Sequence, residues 1–272
     1  MEDVQEGVLR KMLAGLEPDG AGEGIVHYAL RRGASTTEMA PFIGEPFTLR
    51  FTGERSCIVC GRSVKKLFGQ GFCFPCFRDA PEASECIVRP ELCRAHLGEG
   101  RDPDWERTHH DQEHVVYLSD TGKIKVGVTR SDQVPVRWID QGAVQAVVIA
   151  RTPYRQLAGL IEVELKKSFS DKTNWRAMLK PQLPDRDTLL AARDRAMEAL
   201  GYELGAYSLP GEEPLVLRYP LVDPPPKVVS VSLDKVPEVS GTLAGIKGQY
   251  LIWKDGRVLN VRNHSGHHVA IG

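Results

Sequence analysis

Residues 57–76 constrain what this chain can fold into more than any other stretch. CIVCGRSVKKLFGQGFCFPC holds two CxxC pairs, Cys57/Cys60 and Cys73/Cys76, with twelve residues between them. A two-residue gap lets both sulfurs of a pair turn inward from one tight turn, and two such knuckles complete a tetrahedral four-thiolate site. Gly61, Gly69 and Gly71 suit the sharp turns this geometry needs. The spacing predicts a zinc ribbon in which Cys57, Cys60, Cys73 and Cys76 hold a structural Zn²⁺, with a redox dithiol as the competing chemistry. Four thiolates leave no open position for substrate, so the ion's part is to hold a region with too few apolar residues for a core of its own.

All six cysteines lie between positions 57 and 93. In an intracellular chain such clustering points to metal rather than disulfides. A second set of possible ligands follows the first: Cys86, Cys93, His96, His109, His110 and His114. CRAH brings Cys93 and His96 to a spacing that suits a common ion, and Cys86 with a later histidine, His110, would complete a second zinc site. The alternative is a buried thiol among surface imidazoles.

The charge of the whole chain is near neutral, at −1, but its distribution is uneven. Residues 114–183 carry 11 Lys and Arg against 6 Asp and Glu, the only segment with a basic excess. A local basic field can attract polyanions when the total cannot, although a solvated surface explains a small excess equally well. With 42% hydrophobic and 26% charged residues the composition is that of an ordinary globular protein. No apolar run is long enough to span a bilayer, so no membrane association is expected. MEDVQEGVLRKML opens acidic and lacks an apolar signal core, so a cytoplasmic location is expected.

Periodicity gives an α+β, multi-module organisation. Residues 1–56 read as a β-rich module, with IVHYAL and PFTLRF broken by PDGAGEG and RRGAS. Residues 57–113 form the zinc-binding region. Residues 114–183 open with a hairpin, HVVYLSDTGKIKVGVT, continue with VQAVVIA as a third strand, and then turn helical. Residues 184–272 combine a helix, DTLLAARDRAMEAL, with a β-rich end in which KVVSVSL and the hairpin GQYLIWKDGRVLNVRN follow a Pro-rich break. From Arg155 to Phe169 the apolar stripe Leu157, Ala158, Ile161, Leu165 and Phe169 predicts a helix lying on a sheet. Glu162 and Glu164 fall at opposite edges of that stripe, and Lys166 and Lys167 face away from it. Trp138, Trp175 and Trp253 read as core or interface anchors.

The order of residues in the third segment resembles the GIY-YIG nuclease superfamily. VVY (Val115 to Tyr117) stands for its first triplet and KVG (Lys125 to Gly127) for its second. Arg137 lies about where that family has an arginine, Glu162 where it has its metal-binding glutamate, and Asn174 where it often has a final polar residue. The chain as a whole is similar to an uncharacterised bacterial family known only as a domain of unknown function. The phrases that carry this likeness are PELC (90–93), KVGVTR (125–130), RWIDQGA (137–143), TNWRAML (173–179) and GIKGQYL (245–251). That second resemblance implies cysteines where this chain has Gly100 and His110.

The nuclease resemblance implies a phosphodiester hydrolase acting on DNA or RNA. Glu162 would hold Mg²⁺ or Mn²⁺, Arg137 would bind the scissile phosphate, and Tyr117 would orient or deprotonate the attacking water. Gly127 would let the strand pass close to substrate. Lys125 replaces the family's second tyrosine and would contact phosphate, as would Arg130 and Arg155. A non-catalytic nucleic-acid-binding protein on the same fold, and a zinc scaffold that binds another protein, are the rival classes.

Overall fold

The computed structural model describes residues 6–19 and 23–272; the opening MEDVQ and the centre of the PDGAGEG break, Gly20 to Gly22, lie outside the described residues. Helices and mixed sheets make it an α+β protein. It clusters into two compact units. The first comprises Ile25–Arg78 and Arg218–Gly272 with the described residues up to Glu17, and the second is built on Asp79–Leu217. The expected zinc-binding region 57–113 is thus divided after Arg78, and the expected C-terminal module after Leu217.

In chain order the first strands are β1 (Glu6–Val8), β2 (Leu13–Pro18), β3 (Glu23–Arg32), β4 (Ser35–Glu38) and β5 (Pro46–Arg55), followed by helix α1 (Phe74–Asp79). Next come α2 (Pro103–His109), β6 (His114–Asp120), β7 (Ile124–Arg130), α3 (Val136–Asp140) and β8 (Gln145–Thr152). Helices α4 (Arg155–Leu165), α5 (Trp175–Leu179), α6 (Arg186–Ala199) and α7 (Tyr202–Gly205) and strand β9 (Leu215–Arg218) follow. The chain ends with β10 (Val229–Ser230), β11 (Glu238–Lys247), β12 (Tyr250–Trp253), β13 (Arg257–Asn260) and β14 (His267–Ile271).

In the first unit the strand order is β1-β14-β5-β11-β12-β13-β10. The β12–β13 hairpin turns on Asp255-Gly256, where Gly256 has a φ of +90° that side chains resist. Trp253, Phe47, Leu49, Val258 and Val269 are buried there. KVVSVSL contributes only Val229 and Ser230 as strand, paired parallel to β13. The Val231 amide adds one further bond, to the Val258 carbonyl at 2.9 Å.

The second unit holds an antiparallel run β9-β8-β6-β7. The hairpin between β6 and β7 closes where Asp120 Oδ1 accepts the Gly122 amide at 2.9 Å, with Gly122 at φ +93°. Val116, Leu118, Val126, Val147 and Ile149 point to one face and are covered by Ala158, Ile161 and Leu165 of α4 and Leu189, Ala192 and Ala196 of α6. Helix α4 ends at Leu165, four residues short of Phe169, which nevertheless packs on the same core. Among the described residues no helix is long and apolar enough to cross a membrane.

His114 begins β6 fully buried. Its Nδ1 donates to the Gln112 carbonyl at 2.7 Å, its Nε2 has no hydrogen-bond partner, and burial pushes its pKa down to about 4. The unfolded chain therefore takes up a proton near pH 6.5 that the folded chain refuses. Stability from this group is complete above that pH and is lost as pH falls toward about 4. Relative to His114→Leu, the wild type should lose about 2 kcal/mol of unfolding free energy between roughly pH 7.5 and pH 5. Urea titrations at the two pH values check this, and parallel losses in both proteins would refute it.

Candidate functional site

The site candidates gather at β7, the edge strand of the second unit's sheet. Tyr117 and Gly127 sit directly opposite one another in the β6–β7 register. Tyr117 is fully buried, and a Cβ at position 127 would lie 2.5 Å from its hydroxyl oxygen. Gly127 is therefore glycine because the tyrosine ring crosses its α carbon. The hydroxyl donates to Gln141 Oε1 at 3.0 Å, and the ring lies 6.0 Å from that of Trp138. Gly127→Ala should shift the tyrosine, break the Gln141 bond and cost about 2 kcal/mol. A denaturant midpoint equal to that of wild type would rule out this packing.

Strand alternation places Tyr117, Lys125 and Gly127 on the face opposite α4, toward α3. Because β7 is the edge, α4 and the loop after it reach the same place from the other side. The Val126 amide donates to the Ser170 carbonyl at 2.9 Å, which lays residues 166–171 along β7. Of the two glutamates at the stripe's edges, Glu162 is the buried one, whereas Glu164 pairs with Lys167 at 2.6 Å near the surface. Lys166 does not face away. Its ammonium bridges Glu162 at 3.2 Å and Asp171 at 3.5 Å.

These groups lie in one another's electrostatic field. Lys125 is 4% exposed, and burial, aided by Arg137, brings its pKa down to about 8 against the opposing pull of Glu162 and Asp171. Burial pushes Glu162 up, with Lys166 opposing. Burial also pushes Tyr117 up, against a hydrogen bond and charge from Arg137. Tyr117 is thus a neutral hydrogen-bonding group at physiological pH and is unsuited to taking a proton from water. Tyr117 and Lys125 thus feel the charges of both Arg137 and Glu162; the other candidates have different employment. Asn174 Oδ1 accepts the amides of Arg176 at 3.1 Å and Ala177 at 3.3 Å, capping α5. Arg130 pairs with Asp132 at 3.1 Å. Arg155 donates to the carbonyls of Cys86 at 2.9 Å and Ile87 at 3.0 Å.

Two cysteine clusters are present. Cys57, Cys60, Cys73 and Cys76 have their sulfurs within 4.8 Å of one another, in the grouping a structural zinc site requires. Gly61 at φ +73° closes the first knuckle, where the Gly61 amide donates to the Cys57 carbonyl at 3.0 Å. Burial raises the Cys57 thiol, but the amides of Cys60, Cys73 and Val59 outweigh it and hold the pKa at about 6. The donors fit zinc, which would cross-link the two knuckles.

The second cluster joins Cys86, Cys93 and His110 with Glu106, again within 4.8 Å. His96, expected from CRAH, instead stacks on Tyr154 with ring centroids 4.2 Å apart. Its three-residue spacing from Cys93 lies in a tight 3-10 turn, Ala95–Leu97, that carries the ring away from the thiols. Glu106 is the donor in this cluster that spacing did not reveal. The available signal was its position one helical turn before His110 on α2, which puts both on one face.

Residues 44–269 match the family model described as Protein of unknown function (DUF2797). No curated protein and no solved structure matches the chain.

Proposed function

The chain belongs to the DUF2797 family, and from the geometry around β7 we propose that it binds nucleic acid and hydrolyses its phosphodiester bonds with a divalent cation held at Glu162. The observation that carries this reading is that Tyr117 and Lys125, on the paired strands β6 and β7, both lie in the field of Arg137 and Glu162. This supports a GIY-YIG-like arrangement, and the first cysteine cluster supports a zinc ribbon beside it in sequence.

Each group has a physical task. Arg137 is permanently charged and forked, which suits a phosphate. Lys125 adds a second cation to the same place. Tyr117, held neutral and buried, positions Gln141 through its hydroxyl and so acts behind the phosphate site. Mg²⁺ or Mn²⁺ at Glu162 would supply a water of lowered pKa and charge for the leaving oxygen. Asn174 is left out of this set because its side chain caps α5.

The ion pair of Lys166 with Glu162 favours a second reading, in which the ammonium takes the cation's place and the centre binds phosphate without turnover. Labelled single- and double-stranded DNA and RNA incubated with Mg²⁺ or Mn²⁺ separate the two. Cutting by wild type that is absent in Glu162→Gln supports hydrolysis. Salt-sensitive binding without cutting supports the second reading, and neither binding nor cutting refutes both.

A further inference from the structure

From the side chains gathered beside α4 we infer that Cys86, Cys93, Glu106 and His110 form a second, mixed-ligand zinc centre whose work is to anchor the N-terminal end of that helix. Cys93, Glu106 and His110 are almost fully buried, and Cys86 is half-buried. The Cys86 sulfur lies 3.7 Å from His110 Nδ1, and Glu106 reaches the same nitrogen. Two thiolates and a carboxylate packed together would concentrate three negative charges in a poorly solvated place, which is strongly unfavourable without a cation. A divalent ion leaves one negative charge, and the Arg155 guanidinium, which is in the field of both thiolates, offsets that remainder. Two sulfurs, one imidazole and one carboxylate suit zinc and fill a tetrahedron.

Gly100 explains why the fourth donor is a carboxylate. A Cβ at residue 100 would lie 2.4 Å from Glu106 Cγ. A side chain at position 100 and the side chain of Glu106 therefore compete for one space. With glycine at 100, Glu106 can swing in from α2 and complete the set.

The centre is coupled to α4 through the backbones of its own ligands. The Arg155 amide donates to the His110 carbonyl at 3.0 Å, and the Arg155 guanidinium donates to the Cys86 carbonyl from Nε at 3.1 Å and Nη2 at 2.9 Å. One turn further on, Gly159 lets α4 press against the chain at Pro90 and Glu91, where a Cβ would be 2.2 Å from the Glu91 amide nitrogen. Arg155 is two turns before Glu162 on the same helix. Metal at the second centre thus fixes the helix that presents Glu162. Only that final link rests on the proposed hydrolysis, since the centre itself is detected by metal content and thiol protection.

The test begins with wild-type protein, so that no variant has to fold. Native alkylation of the zinc-loaded chain should spare all six cysteines, and chelation should expose Cys86 and Cys93 along with the other four. Modification of Cys86 and Cys93 at one rate with and without zinc, or their recovery as a disulfide, would overturn the proposal. Glu106→Ala should lose one equivalent of zinc while the Cys57–Cys76 site keeps its own. The Gly100→Cys, Glu106→Ala double substitution should regain that equivalent, and its cobalt form should show stronger thiolate charge-transfer absorption. Retention of both equivalents in Glu106→Ala would refute the ligand set. Amide exchange across Arg155–Leu165 should quicken at least tenfold in Glu106→Ala and slow again in the double variant. Unchanged exchange there would refute the anchoring role. Absence of cleavage in wild type would refute the proposed hydrolysis and leave the metal count and exchange results standing.

Discussion

Replacing Cys73 by serine is expected to unfold residues 57–78 while leaving the β6–β8 sheet intact. The segment contributes little core: Cys57, Phe72 and Cys73 are buried, whereas Val59, Phe74 and Phe77 remain exposed. Its backbone ties are few, among them the paired bonds between Phe68 and Phe72 and the Ile58 amide on the Gly71 carbonyl. Structural zinc supplies roughly 10–16 kcal/mol in small ribbons and fingers, well beyond what these contacts replace. Amide exchange across 57–78 should therefore rise to loop-like rates in Cys73→Ser and in chelated wild type. Protection in β6 and β8 should persist, because their core is built from Val116, Leu118, Val147 and Ile149. Undiminished protection of 57–78 after chelation would show that no metal supports the segment.

Glu162→Gln should lower metal-dependent cleavage at least a thousandfold with the fold preserved. Glutamine keeps the volume and loses the charge, so the Lys166 pair is weakened and the cation has no anionic ligand. The pH profile of wild type follows from the two neighbours that titrate. Burial raises Glu162, so activity should fall on acidification at a pH above the usual carboxylate range, as the ligand gains a proton. Lys125 is held near 8, so phosphate affinity should weaken as pH rises through that value and the ammonium loses its charge. Lys125→Arg should move the alkaline limb upward and leave the acidic one in place. If both limbs stay where they are in Lys125→Arg, the lysine has no part in binding.

What the sequence revealed was what short spacing encodes. The CxxC knuckles, the β6–β7 hairpin and the apolar stripe of α4 all depend on residues within one or two turns of each other, and the structure has each of them. The choice between Glu162 and Glu164 needed the structure, because both flank the stripe and only the path of residues 166–171 along β7 decides which is enclosed. Asn174 stood in a suggestive position, but an asparagine just before WRAML is also a helix cap, and its two amide bonds take that role. Strand order in the first unit was not legible either. β14 and β11 flank β5 although their partners lie roughly 190 to 220 residues away in sequence, and nothing local records such pairing.

The exclusion between position 100 and Glu106 also limits the routes by which this chain can change. A side chain gained at 100 while Glu106 is in place meets it at 2.4 Å, and a truncated Glu106 with glycine at 100 leaves the cluster one donor short. On the proposed ligand set, each single step brings a clash or a missing donor, so the two positions are changed most easily together. Relatives should therefore carry either the small residue with the acid or a larger residue without it, and chains that mix the two should be rare.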